Sequence, residues 1–223
     1  MFCTKDLESG CRWKRRKDAR PEEILDAALE LFTAKGFSST RMVDVAKAAG
    51  ISKGTLYLYF DSKEAIFKGV VQQRITPQID DFTEIVENFE GSNAELLRTM
   101  IKGWWVSIIC TPLSAIPKII VSESGNFPEL AEYFTKNVVS RSRGLFSKVI
   151  TKGMSSGEFV EYDAQTVARL IVAPLIQAAI WMHSLKPYDD DMGSQGYLQL
   201  HTEFILNNLL KKTDVVNEKK VTS

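Results

Sequence analysis

Apolar residues recur at helical spacing along most of this chain, and no run alternates residue by residue as a half-buried strand would. The first periodic stretch opens at Pro21, which suits a first helical position, with Glu22 and Glu23 complementing the positive end of the helix dipole. Ile24, Ala28, Leu31 and Phe32 follow at i, i+4, i+7 and i+8 and form one apolar stripe, and Lys35 with Gly36 supplies a stop. A second helix is expected from near Thr40, with Val43, Ala46 and Ala49 facing inward. Gly50 ends it and Ile51 plugs the turn. Ser52 then caps a third helix over about 53–58, and Leu56 and Phe60, four apart, fasten it inward. Asp61 and Glu64 have capping-box spacing and open a fourth helix that runs towards Pro77. Beyond it the pattern predicts helices at roughly 77–89, 93–110, 114–124, 128–154, 163–185 and 194–210, separated by Gly, Pro and Ser breakers and by the loop 189–193. The fold class is therefore all-α.

Residues 40–64 read as two short helices joined by a Gly-containing turn, with another helix opening directly behind them. This helix-turn-helix arrangement lays a short helix into the DNA major groove. On the third helix Lys53 offers a charged donor to guanine or phosphate, and Thr55 offers a hydroxyl and a methyl. Gly54 permits close backbone approach. Tyr57 and Tyr59 have the reach of phosphate contacts, which fix register without reading sequence. Lys63, in the first turn of the fourth helix, and Thr40 with Arg41, at the start of the second, are placed to meet phosphates.

Charge supports a polyanion-binding front end. The formal net charge is zero, but residues 1–75 hold 14 Lys/Arg against 10 Asp/Glu, and the remainder is acidic in balance. Arg12, Lys14, Arg15, Arg16 and Lys17 sit in a segment, 1–17, without apolar periodicity; it reads as a basic arm, solvated or following the DNA backbone. Three cysteines without metal-ligand spacing fit a reducing compartment, and the polar N-terminus lacks a signal-peptide pattern, so a cytoplasmic location is expected. The longest uninterrupted apolar run of the most apolar segment, 170–176, falls far short of the ~20 residues that span a bilayer, and no membrane partner is expected. No nucleophile motif, phosphate loop, dinucleotide fingerprint or zinc spacing is present, so no catalytic residue, metal or cofactor is assigned and the chain is not read as an enzyme.

Residues 20–75 resemble the DNA-binding domain of the tetracycline-repressor (TetR/AcrR) family. The resemblance is carried by the stretch 24–32 (Ile-Leu-Asp-Ala-Ala-Leu-Glu-Leu-Phe), Gly36 and Phe37, Thr40, Val45 and Ala46, the run 49–57 (Ala-Gly-Ile-Ser-Lys-Gly-Thr-Leu-Tyr), Tyr59 and Phe60, and Lys63 with Glu64. Leu58 departs from it, standing where the family more often has an aromatic residue. The resemblance implies a homodimer on a palindromic operator, usually repressing transcription. It also implies a larger helical C-terminal domain that dimerises through its last two long helices and often holds a small-molecule pocket.

The expected organisation is an arm at 1–17, a DNA-binding domain at 18–78 with its helix-turn-helix at 41–60, an effector-binding and dimerisation domain at 79–212, and a frayed tail at 213–223. Helical spacing on the last two helices offers Val167, Ile171, Pro174, Ala178, Leu198, His201 and Ile205 as a dimer stripe, with Pro174 kinking its helix. Aromatic and neighbouring residues offer a pocket at Trp104, Trp105, Ser107, Ile108, Phe127, Phe134, Phe146, Gln177 and Trp181; the adjacent tryptophans point about 100° apart, so at most one faces a cavity squarely. The expected partners are double-stranded operator DNA, a second copy of the chain and a small apolar or aromatic effector. The alternatives are a regulator of this type without a small-molecule effector, or a helical ligand-binding protein or enzyme whose helix-turn-helix is vestigial.

Overall fold

The computed structural model describes residues 21–188 and 195–211. The basic arm 1–17, the loop 189–193 and the tail 213–223 lie outside the described residues. The described chain is helical, with one isolated antiparallel bridge between Phe159 and Leu210, and it divides into two compact units between Val70 and Val71. The sequence puts that division between residues 78 and 79. The compact units divide earlier, and Val71, Ile75 and Ile79, all buried, belong to the second.

The first unit comprises α1 (Pro21–Lys35), α2 (Met42–Ala48), α3 (Lys53–Tyr59) and α4 (Lys63–Val70). Ile24, Leu25, Ala28, Leu29 and Phe32 of α1 are buried, and Leu31, expected on this stripe, is only half-buried. Phe32, Phe37 and Phe67 form an aromatic cluster, with Phe37 edge-on to Phe67 at 5.8 Å between centroids. Val45 and Ala46 point inward from α2, whereas Val43, expected inward, is 51% exposed. Helix α2 starts at Met42, with Arg41 as the flanking residue whose N–H donates to Asp44 Oδ2 at 3.1 Å. The Lys35 ammonium, 2.6 Å from that carboxylate, is the main reason Asp44 lies below the usual carboxylate range.

The second unit comprises α5 (Thr76–Asn88), α6 (Asn93–Trp104), α7 (Ile116–Glu123), α8 (Pro128–Phe134), α9 (Ser140–Ser155), α10 (Ala164–Met182) and α11 (Gln195–Leu209). Three π-helical turns, Val71–Ile75, Trp105–Ile109 and Thr135–Val139, interrupt runs that periodicity reads as continuous helix. The Glu158 carboxylate accepts from the N–H groups of Asn93 and Ala94 at 2.8 and 2.9 Å, and the Ser92–Glu95 capping box satisfies further donors at the start of α6. Helix α10 is long and apolar enough to cross a membrane by length and composition. In this fold its Val167, Ala168, Ile171, Leu175, Ala178 and Ala179 are buried in the core.

Pro174 removes one backbone donor from α10. Helix α11 secures the carbonyls around it: His201 Nε2–H donates to the Ile171 carbonyl at 2.9 Å and the Tyr197 hydroxyl to the Pro174 carbonyl at 3.1 Å. At the end of α10, His183 Nε2 lies 2.8 Å from the Ser114 hydroxyl, and the Lys118 ammonium donates to the His183 carbonyl.

Burial pushes both histidines below their ordinary value, with Lys118 adding to the effect at His183 and the Ile171 hydrogen bond opposing it at His201. The folded state therefore binds these protons less readily than the unfolded chain, and stability falls as pH drops through the unfolded histidine range, about 6.5. The melting temperature is expected to decrease between about pH 7.5 and about pH 5.5, and to decrease less in the His183→Gln/His201→Gln variant. Parallel profiles for the two proteins would assign the acid sensitivity elsewhere.

Candidate nucleic-acid interface and apolar cavity

The turn between α2 and α3 is built by the backbone. Ile51 N–H donates to the Ala46 carbonyl at 3.0 Å and Gly50 N–H to the Lys47 carbonyl at 3.2 Å, the paired bonds of a Schellman motif. The motif needs a left-handed residue, supplied by Gly50 at φ +70°. Ile51 is buried beside the turn, and the Ser52 hydroxyl accepts from Thr55 N–H at 3.0 Å, starting α3.

Helix α3 divides its residues between scaffold and solvent. Leu56 is fully buried and Phe60 half-buried. Lys53, Gly54, Tyr57, Leu58 and Tyr59 are exposed, and the Lys53 ammonium lies over the Tyr57 ring, 5.7 Å from its centroid. The Thr55 hydroxyl is 2.8 Å from that of Ser52, so its methyl is the group left uncommitted. Arg41, which flanks the start of α2, is also exposed.

Two expected phosphate contacts turn out to be engaged within the chain. Thr40 is 1% exposed and its hydroxyl donates to the Gly36 carbonyl at 2.7 Å, which makes it a corner residue of the scaffold. The Lys63 ammonium donates to the carbonyls of Phe37 and Ser38, each at 3.0 Å, and sits 4.6 Å from the Phe37 ring centroid. Spacing places both groups near the reading surface but cannot show that backbone carbonyls already hold them. Val43 and Leu58, the latter 85% exposed, are apolar side chains presented to solvent by α2 and α3 that residue-type reasoning passed over. Apolar side chains in such positions suit thymine methyl groups.

Gly54 permits a sharp test. A Cβ built there meets only the Ser52 hydroxyl, at 3.7 Å, which is ordinary contact. The fold does not need glycine at this position; close approach of a partner would. Gly54→Ala is expected to leave the melting temperature unchanged or slightly raised while weakening DNA binding. Equal affinity of the two proteins in an operator titration would remove Gly54 from the interface.

The second unit holds an apolar cavity of about 340 Å³, partly open to solvent. Trp104, Ile108, Phe134, Phe146 and Gln177 line it, as do Ile79, Phe82, Ile116 and Val172, which periodicity did not single out. All three π-helical turns contribute, through Ile75, Ile108, and Val138 with Val139. Trp105, Ser107, Phe127 and Trp181 do not line it. Trp105 turns into the core, its ring 6.2 Å from that of Tyr197; Ser107 holds its hydroxyl oxygen buried without a hydrogen-bond partner; Phe127 precedes α8 at its N-cap, and Trp181 is in the last turn of α10.

The expected dimer stripe is also divided. Val167, Ile171 and Ala178 are buried within the chain. Leu198 and Ile205 pack partly against the same core, and His201 and Pro174 are only half-exposed. The large apolar side chains left exposed on these helices are Leu170, Leu200 and Phe204, at 60%, 69% and 63%. A broad apolar stripe on a helix does not reveal which of its flanks the monomer uses.

Residues 24–70 match the family described as bacterial regulatory proteins, tetR family. Across 190 residues the chain is 38% identical to the HTH-type transcriptional repressor KstR2 of Rhodococcus jostii (strain RHA1), covering 82% of this chain and 90% of that protein. The chain belongs to the TetR family of bacterial transcriptional regulators. The same fold is seen in the transcriptional regulator FadR from Bacillus subtilis in complex with stearoyl-CoA, with a TM-score of 0.72 at 21% identity over 85% of this chain and 99% of that one. It is seen again in the SmeT–triclosan complex, with a TM-score of 0.70 at 20% identity over 86% and 92%; SmeT is described as the repressor of the Stenotrophomonas maltophilia multidrug efflux pump SmeDEF. This TetR-family protein is thus a DNA-binding regulator and not an enzyme, and its first unit is the reading head.

Proposed function

We propose that this regulator represses transcription as a homodimer bound to a palindromic operator, and that a small molecule with an apolar or aromatic body, entering the cavity of the second unit, releases it. Its site of action is then the cytoplasm, where operator DNA lies. The observation that carries the reading is the cavity itself. Its volume of about 340 Å³ falls in the range of small-molecule sites, about 300–1,000 Å³, and structures of the same fold hold stearoyl-CoA and triclosan.

Each subunit contributes one α3, and a twofold axis repeats it in the next major groove about 34 Å away. The exposed Leu170, Leu200 and Phe204 support an interface built by α10 and α11 of two copies, on the flank opposite the one the monomer buries. The effector acts by population shift: it favours a conformation in which the two α3 helices no longer match adjacent grooves. The π-helical turn Val71–Ile75 suits the coupling, since it follows Val70 of α4 in the chain and places Ile75 on the cavity wall.

The test is a gel shift of the full chain on DNA upstream of its own gene, across a salt series. A specific complex is expected whose log affinity falls linearly with log salt, with a slope of about −0.9 for each phosphate neutralised. Absence of a specific complex at low salt on every candidate operator would sink the reading.

A further inference from the structure

We propose that the effector is an amphiphile with an anionic group on an apolar body, and that the Arg143 guanidinium receives the anion. The inference rests on the effector reading above and names the chemistry of that same site.

The cations of α9 set Arg143 apart. Arg141 pairs with Asp80, Lys148 pairs with Glu87 at 3.2 Å, and the Lys152 ammonium donates to the Val86 carbonyl at 3.0 Å; all three partners lie on α5. Arg143, two positions on from Arg141, turns away from that row and onto the cavity wall. It is half-buried, and among the described residues no hydrogen bond or ion pair engages its side chain. A guanidinium keeps its charge and presents a planar fork of donors. Holding one against an apolar wall without a counter-charge costs desolvation, which an incoming anion offsets through charge-assisted, bidentate hydrogen bonds.

The rest of the lining agrees in sign. It includes a second cation, Arg169, and no Asp or Glu. Arg169 is exposed and influences Asp163, so it adds positive potential to the lining more than a seat for a buried anion. Gln78, Ser142 and Gln177 add neutral polar groups, and the remaining lining is apolar. Such a site penalises a cationic ligand, which would meet two like charges and no carboxylate.

Titration calorimetry of the full-length protein with decanol, decanoate, decyl phosphate and decyltrimethylammonium tests this. At least one anion is expected to bind about tenfold or more tighter than decanol, with the ammonium weakest; which anion wins separates a carboxylate from a phosphate source. Arg143→Gln is expected to abolish the anion's advantage while decanol affinity stays within about twofold. Arg143→Lys, which keeps the charge but not the fork, is expected to fall between them, and it decides the matter if the glutamine variant does not fold. Decanol binding as tightly as both anions, or anion affinities unchanged in both variants, overturns the proposal. Val172→Trp, which fills the cavity, separates the two levels of inference. Decanol binding that this variant abolishes upholds the cavity as the site whatever the anions do. No binding of any probe to the wild-type protein refutes the effector reading, and this inference with it.

Discussion

Phe159→Ala is expected to lower the stability of the second unit by about 3–5 kcal/mol, the cost of truncating a fully buried phenylalanine. Phe159 is 0% exposed and lies over Gly153 of α9 so closely that a Cβ built on the glycine would meet its ring carbon at 2.1 Å. The contact ties the end of α9 to the end of α11. Phe159 N–H donates to the Gly153 carbonyl at 2.9 Å, Val160 N–H to the Leu209 carbonyl at 2.7 Å, and Lys211 N–H to the Glu158 carbonyl at 3.1 Å. Removing the ring leaves a void at a three-way junction that backbone hydrogen bonds prevent from closing. The reciprocal change, Gly153→Ala, is expected to destabilise through overpacking by about 1–3 kcal/mol or more, because the new methyl group would overlap three carbons of a fully buried ring, at 2.1, 2.4 and 2.7 Å. For a chain of this size each kcal/mol corresponds to roughly 2–4 °C in melting temperature. Thermal unfolding followed by circular dichroism should therefore show a drop of roughly 6–20 °C for Phe159→Ala. A drop under about 2 °C in both variants would mean that the junction is not where this unit holds together.

The helices were legible in the sequence because their signals are local. The Ser52 cap and the Gly50 turn each act within a few residues, and the structure begins and ends helices there. The π-helical turns were not legible. An extra residue per turn leaves apolar spacing almost unchanged over a five-residue segment, so 93–110 and 128–154 read as single helices although each contains such a turn. The reading head was largely legible through its anchors, since buried Leu56 fixes which side of α3 faces out. What the sequence could not show is that Thr40 and Lys63, which have the residue type of phosphate contacts, also hydrogen-bond carbonyls of their own chain. The cavity was half legible because adjacent residues such as Trp104 and Trp105 diverge by about 100°, and only packing decides which one faces the void. The α10 stripe was only partly legible, for a related reason. Val167, Ile171 and Ala178 share a face with ideal spacing, and that face is the monomer's own core.

Lys53→Ala and Tyr57→Ala are each expected to weaken operator binding by about 1–3 kcal/mol per half-site, and so by about 2–6 kcal/mol in a dimer that uses both copies. That corresponds to roughly 30-fold to 10⁴-fold in affinity. Both side chains are exposed one turn apart on α3, and the ring of Tyr57 holds the Lys53 ammonium 5.7 Å from its centroid. Losing the tyrosine therefore removes one contact and loosens another, so the double variant should fall short of the sum of the two single ones. Neither side chain is in the core, and the melting temperature should stay near that of the wild type, since exposed substitutions shift stability within about ±0.5 kcal/mol. Leu56→Ala supplies the contrast: it lies between them on the same helix but is fully buried, and it should lower stability and binding together. The salt dependence separates the roles. If Lys53 meets a phosphate, its removal makes the log–log salt slope shallower by about one for each subunit; if it reads guanine, discrimination among operator variants declines with less change in slope. Affinities of both single variants within about twofold of the wild type, with folding intact, would show that α3 does not present this face to DNA.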